Sequence, residues 1–151
     1  MVNEHIHIPC PECGVTNRVP LVKTDKRAKC GKCHAPLPSV VDAVPIIVTE
    51  ATFQDEVLNS DLPVLVDFWA PWCAPCRALA PSLESMAKEF VGRLKVVKVN
   101  SDENMGLSQQ YQVRSIPTLI IFEGGALKQQ ISGALPIQQL RVWIKRTMGW
   151  L

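Results

Sequence analysis

The sequence predicts an α/β domain, a mixed central β-sheet flanked by helices on both faces, preceded by a small N-terminal metal-binding module. Three observations predict it. From Ile46 onward, short β-branched runs and helical patterns follow in the order β-α-β-α-β-α-β-β-α, which calls for a sheet covered on both sides. The first 38 residues hold few large apolar side chains but two C-x-x-C pairs, Cys10-Pro11-Glu12-Cys13 and Cys30-Gly31-Lys32-Cys33. A third pair, Cys73-Ala74-Pro75-Cys76, stands alone after an apolar run, where a strand meets a helix.

Residues 1–38 lack the apolar content for a core, so something else must order them. Sixteen residues separate the two C-x-x-C pairs, a spacing that suits one closed zinc site of four thiolates, Cys10, Cys13, Cys30 and Cys33. Metal binding would then supply the folding free energy. Gly14 and Gly31 suit the tight turns that aim backbone amides at sulfur. With four cysteines present, His5, His7 and His34 are expected to be solvent-exposed and not ligands. Pro36 and Pro38 stiffen the exit, residues 39–45 read as a linker, and the main domain occupies residues 46–151.

In that domain Ile46-Ile47-Val48 is a short strand, and Thr52 is placed to cap a helix over Phe53–Asn59. Pro63–Trp69 is a near-continuous apolar run, as in a strand buried on both faces. The next helix starts near Cys73 and reaches Phe90, with Leu83, Met86, Ala87, Phe90 and Val91 on one stripe and Pro81 inside it. Leu94–Asn100 is a second buried strand, and Asn104–Tyr111 a short helix. Thr118–Phe122 and Leu127–Ser132 form a hairpin about Gly124-Gly125. Pro136–Met148 closes the chain as a helix with Leu140, Trp143, Ile144 and Met148 facing inward.

The net charge of +2 is too small to indicate a nucleic-acid or anionic-membrane partner, although residues 1–38 alone carry +3. No apolar run reaches membrane-span length, and the N-terminus lacks the charged start and apolar core of a signal peptide. A cytoplasmic location is expected, where paired cysteines more often bind metal or do redox work than form structural disulfides.

Cys73 falls at a helix start, where free amides and a partial positive charge favour the thiolate. Cys76 lies one turn further in and can attack back on a mixed disulfide; Pro75 fixes the loop between them. Cys73 is expected to be partly exposed and Cys76 shielded behind it. A second metal site would need further ligands, and no other cysteine or histidine remains in this half of the chain. Asp67 sits in an apolar strand, where an ionised acid is unfavourable. That position makes sense if the acid exchanges protons with Cys76, and a structural partner such as Lys98 is not exclusive of this. Pro117 enters an apolar stretch either as an ordinary strand-start proline or as a cis residue presenting the Ile116 backbone to the thiols. Trp72 borders the cysteines and suits a docking surface, whereas Trp69 and Trp143 read as packing residues.

The stretch Phe68-Trp69-Ala70-Pro71-Trp72-Cys73-Ala74-Pro75-Cys76 resembles the active site of the thioredoxin family, and the resemblance extends over residues 46–151. With the four-cysteine leader, the whole chain is similar to the thioredoxin-2 type of that family. The resemblance implies a thioredoxin fold and a protein disulfide reductase in which Cys73 attacks and Cys76 resolves. It assigns Asp67 as the buried acid, Lys98 as the lysine near it, and Arg114–Thr118 as the loop carrying a cis-proline at Pro117. Trp72, Ala74, Pro75, Ile116, Pro117, Gly133 and Ala134 would form the substrate groove. It further implies disulfide-containing proteins as substrates and an NADPH-dependent thioredoxin reductase as electron donor. Neither flavin nor nicotinamide would bind here, because there is no dinucleotide fingerprint. One departure from the family pattern is Ala74-Pro75 where Gly-Pro is common, which bears on redox poise. A different class of reading makes the chain a zinc-dependent binding or holdase protein with the second domain as scaffold.

Overall fold

The computed structural model describes residues 5–20, 28–37 and 43–151. Pro38 and most of the expected linker, residues 39–42, lie outside the described residues. The N-terminal module is built on an antiparallel hairpin of β1 (His5–Pro9) and β2 (Thr16–Pro20), in register from His5 opposite Pro20 to Pro9 opposite Thr16. Lys29 and Pro36 form a second, isolated bridge around the other cysteine pair.

The module was expected to lack a core, and here the structure differs. Ile8, Val19 and Leu37 are buried together with Cys10 and Cys30, and Ala43 and Val91 complete the cluster from further along the chain. The apolar residues within 1–38 are too few alone, but the main domain supplies the missing wall.

That domain is a five-stranded sheet in the order β3-β5-β4-β6-β7. Its strands are β3 (Ile46–Ile47), β4 (Val64–Trp69), β5 (Lys95–Asn100), β6 (Thr118–Glu123) and β7 (Ala126–Ser132). β3 and β4 both run parallel to β5, while β6 is antiparallel to β4 and to β7. Gly124 and Gly125 join the last two strands with φ of 59° and 80°, the left-handed pair that a two-residue hairpin turn favours.

Alternation along the strands sorts side chains onto two faces. Val64, Val66 and Phe68 of β4, with Val97 and Val99 of β5, meet Phe53, Val57 and Leu107 of α2 (Met105–Gln110) and the segment before β4. Leu65, Val96 and Leu119 face the other way, onto Leu79, Leu83 and Met86 of α1 (Ala74–Glu89) and Leu140 and Ile144 of α3 (Ile137–Met148). Trp143 and Met148 only pack against the edge of this second cluster. Asp67 and Lys98 are directly paired across β4 and β5. By alternation both belong to the α1 face.

One local expectation changes. The segment after Thr52 is a single π-helical turn, Gln54–Leu58, with no side-chain cap. The Thr52 hydroxyl is engaged elsewhere, accepting from the Thr49 amide at 3.0 Å. Pro81 lies within α1, which continues through it.

Candidate active site and metal centre

β4 delivers the chain to Ala70, and α1 begins directly after Cys73. Cys73 is the helix N-cap. Its Sγ accepts the Cys76 amide at 3.2 Å, with Pro75 in the first turn, where its missing N–H costs nothing. Cys73 and Cys76 are joined as a disulfide, with Cα atoms 5.3 Å apart. Both are buried in this form, 4% and 3% exposed. The expected contrast in exposure is therefore absent, and geometry distinguishes the two sulfurs instead. Only that of Cys73 holds the helix amide, and it lies 3.7 Å from the Ile116 carbonyl oxygen.

Ile116 is brought there by the loop before β6. The Ile116–Pro117 bond is cis, Pro117 is buried, and the Thr118 hydroxyl donates to the Ser115 carbonyl at 2.6 Å. Gly133, at φ 105°, donates its amide to the Pro117 carbonyl at 2.8 Å, so Gly133 and the exposed Ala134 border the same loop. Ala74 and Pro75 are exposed on the first turn of α1. Trp72 is 67% exposed, and its indole N–H donates to Asp102 at 2.7 Å. Sequence reasoning missed Asp102. Nothing local marks it, because its partner lies thirty positions earlier.

In β4, on the α1 face of the sheet, Asp67 is 1% exposed, and neither carboxylate oxygen has a hydrogen-bond partner. Burial pushes its pKa up to about 7, partly offset by the charge of Lys98. Lys98 makes no ion pair with it among those observed; its ammonium sits 4.4 Å over the Trp69 ring.

The other four cysteines converge. The Sγ atoms of Cys10, Cys13, Cys30 and Cys33 all lie within 4.8 Å of one another, with Cys10–Cys33 and Cys13–Cys30 at 3.6 Å. Each pair sits in the same turn. The Glu12 and Lys32 amides reach the first sulfur at 3.4 Å, and the Gly14 and His34 amides return to the carbonyls of Cys10 and Cys30 at 3.0 Å. The amides of Cys33 and Lys32 draw the Cys30 thiol down to about 6. Gly31 was expected to serve the second turn, but the left-handed residue there is His34, at φ 64°, matching Gly14 at 79°. His7 and His34 are exposed; the His5 side chain lies outside the described residues.

A family profile for thioredoxin matches residues 44–146. The chain belongs to the thioredoxin family. A second profile, described as Thioredoxin 2, N-terminal, matches residues 9–35 and so spans all four clustered cysteines. Among curated relatives, Thioredoxin 1 of Nostoc sp. is 57% identical over 89 residues, 59% of this chain and 83% of that protein. Thioredoxin 1 of Synechococcus elongatus is 53% identical over 94 residues, 62% of this chain and 88% of the relative. Thioredoxin of Haemophilus influenzae is 46% identical over 99 residues, 66% and 92% of the two chains. These alignments and the Cys73–Cys76 pair make the protein a thiol-disulfide oxidoreductase of thioredoxin type, with a metal-binding cysteine module ahead of it. Among the described residues no helix is long and apolar enough to cross a membrane.

Proposed function

We propose that the chain reduces disulfides in other proteins, with Cys73 as nucleophile and Cys76 as resolving thiol. The observation that carries this assignment is the Cys76 amide held on the Cys73 sulfur at the start of α1. A hydrogen-bonded helix terminus stabilises the thiolate that attacks. The Cys73 thiolate takes one sulfur of the substrate disulfide and releases the other as a thiolate, which picks up a proton. Asp67 accepts the proton of Cys76, whose sulfur then attacks Cys73 and releases the second substrate thiol. The chain is left with the Cys73–Cys76 disulfide, which an NADPH-dependent thioredoxin reductase would reduce. Lys98 tempers the charge on Asp67. Trp72, Ala74, Pro75, Ile116, Pro117, Gly133 and Ala134 would form the groove that receives an extended substrate strand, a reading supported by the Ile116 carbonyl 3.7 Å from the Cys73 sulfur.

For the module we propose one structural zinc ion on Cys10, Cys13, Cys30 and Cys33. Zinc–sulfur bonds of about 2.3 Å in a tetrahedron separate the sulfurs by roughly 3.8 Å, and two cross-pairs here stand at 3.6 Å. All ligand positions are filled by sulfur, so the ion would hold the fold and take no part in exchange. We divide the chain into a module at 1–38, a linker at 39–45 and the thioredoxin domain at 46–151. The cytoplasm is the compartment we infer, since four free thiols need a reducing one.

The exchange mechanism is tested with Cys76→Ser. The variant should still attack and should accumulate mixed disulfides through Cys73 with a model disulfide protein, seen as adducts that a reductant dissolves. Absence of adducts, or adducts through another cysteine, would reject the assignment.

A further inference from the structure

A buried acid that exchanges protons with a thiol must be re-equilibrated with water, yet too much water would restore its ordinary acidity. Trp69 and Lys98 stand beside Asp67 in the sheet and also at the surface. Trp69 lies two residues on in β4, Lys98 is the paired residue in β5, and both share Asp67's face of the sheet. Both also line a surface depression of about 510 Å³. Trp69, one of its lining residues, carries a second orphan: its indole N–H is buried without an acceptor, as the Asp67 oxygens are buried without donors. Buried polar groups of both kinds on one face are what a few water molecules satisfy.

One wall of the depression is α1. The other is Ala43, Val44 and Pro45, the segment leaving the N-terminal module. Val44 is 45% exposed, so its own packing does not hold the wall. Ala43 does: it is fully buried, in the module's cluster with Ile8, Val19, Leu37 and the main-domain residue Val91. The same short segment is thus anchored in the metal module and fronts the approach to the buried acid.

We propose that Ala43–Pro45 is a positioning segment for the disulfide reaction: anchored by the module, it limits the water that reaches Asp67 past Lys98 and Trp69, and so sets the pH at which Asp67 takes the proton of Cys76. The proposal rests on the role given to Asp67 above. Of the charged and titratable groups on this side of the sheet, Lys98 from β5 acts on that acid directly, Glu84 and Lys88 line the depression from α1, and Cys73 and Cys76 stand at the start of the same helix. β6 places the apolar Leu119 opposite it, and the segment itself carries no charge. The effect of the segment is therefore through hydration, and loosening it should make Asp67 more acidic.

The experiment uses the full metal-loaded chain. Val44→Gly with Pro45→Gly loosens the wall, and Ala43→Asp detaches it from the module; Asp67, Lys98 and all cysteines are kept, and metal content is measured in each because Ala43 packs in one cluster with Cys10 and Cys30. Two readouts are taken in each: the Asp67 carboxyl titration by NMR in the dithiol form, and the pH profile of kcat/KM for reducing a model disulfide from roughly pH 5 to 9. Both midpoints should fall by about one pH unit, a tenfold change in proton affinity. Unchanged midpoints in the Gly pair, with metal content retained, would overturn the proposal. If Ala43→Asp fails to fold, the Gly pair alone decides. Asp67→Asn separates the two claims. If it leaves the pH limb in place, Asp67 is not the acceptor, while the NMR titration still reports whether the segment governs its hydration.

Discussion

In the N-terminal module the residue after each second cysteine, Gly14 or His34, adopts left-handed backbone and turns the chain back on itself. At the active site Arg77 follows Cys76, and the chain runs on as α1. All three pairs share the C-x-x-C spacing, yet this one step separates them. Two returning turns face each other and gather four sulfurs into a closed set. The helix holds two sulfurs at its positive end, beside one carbonyl, and the strand that leads into it carries a buried, unpaired acid. The spacing states that sulfur chemistry is present. The backbone after it decides whether the sulfurs hold something or react.

The largest effects should come from removing one sulfur from each centre. Cys73→Ser should lower disulfide reduction by at least about a thousandfold, because the nucleophile itself is lost. Its metal content should not change. Cys10→Ser takes a buried ligand from the other centre. Bound zinc should fall from one per chain towards none, and amide protection across β1 and β2 should collapse with it. Reduction should persist within about tenfold, the two centres being separate in the fold. The comparison breaks if Cys73→Ser loses the metal, or if Cys10→Ser is as inactive as Cys73→Ser.

The elements that were legible in the sequence are those whose signals are local. Val64–Trp69 reads as a buried strand from its own run of residues, Gly124-Gly125 as a hairpin turn from its own backbone demands, and the cysteine pairs from their spacing. What was not legible depends on partners far along the chain. Ile8, Val19 and Leu37 form a core only because Val91 and Ala43 close it. Trp72 is oriented by Asp102, and the Thr52 hydroxyl goes to the Thr49 amide in place of capping the next turn. The left-handed turn at His34 was not legible because glycine announces that backbone and a histidine does not.

A smaller effect sharpens the difference between a centre that holds and one that reacts. The active site keeps an acid that burial lifts from 3.8 to about 7. Between those values the folded chain binds more protons than the unfolded one. Stability is therefore highest at low pH in this window and falls as pH rises towards 7, by on the order of 4 kcal/mol in all. Asp67→Asn removes the ionisation, so denaturant unfolding should show that slope flattened and a gain of at most about 4 kcal/mol at neutral pH. Reduction should slow at the same time. A variant no more stable than the parent at neutral pH, and with the same slope, would mean that Asp67 is paired and not a reactive group.

The smallest effect tests whether the two metal-binding turns are equivalent. Gly14 and His34 hold corresponding positions, with φ of 79° and 64° and matching amide bonds to Cys10 and Cys30. A Cβ at Gly14 would meet nothing within 4 Å, so Gly14→Ala tests backbone conformation alone. It should weaken metal retention by about 1 kcal/mol, roughly fivefold in zinc affinity against a competing chelator. His34→Gly removes the same strain from the other turn. The added freedom of glycine in the unfolded chain offsets part of the gain, which leaves about 0.5 kcal/mol, near a twofold tightening. Opposite signs are the point of the pair: one turn already has the residue its backbone favours, and the other bears the side chain at a cost. If both substitutions weaken the site, the imidazole of His34 contributes something that the turn geometry does not account for. If neither changes zinc affinity, the left-handed step is not what brings the sulfurs together. In both variants reduction through Cys73 should match the parent, since neither residue lies at the active site.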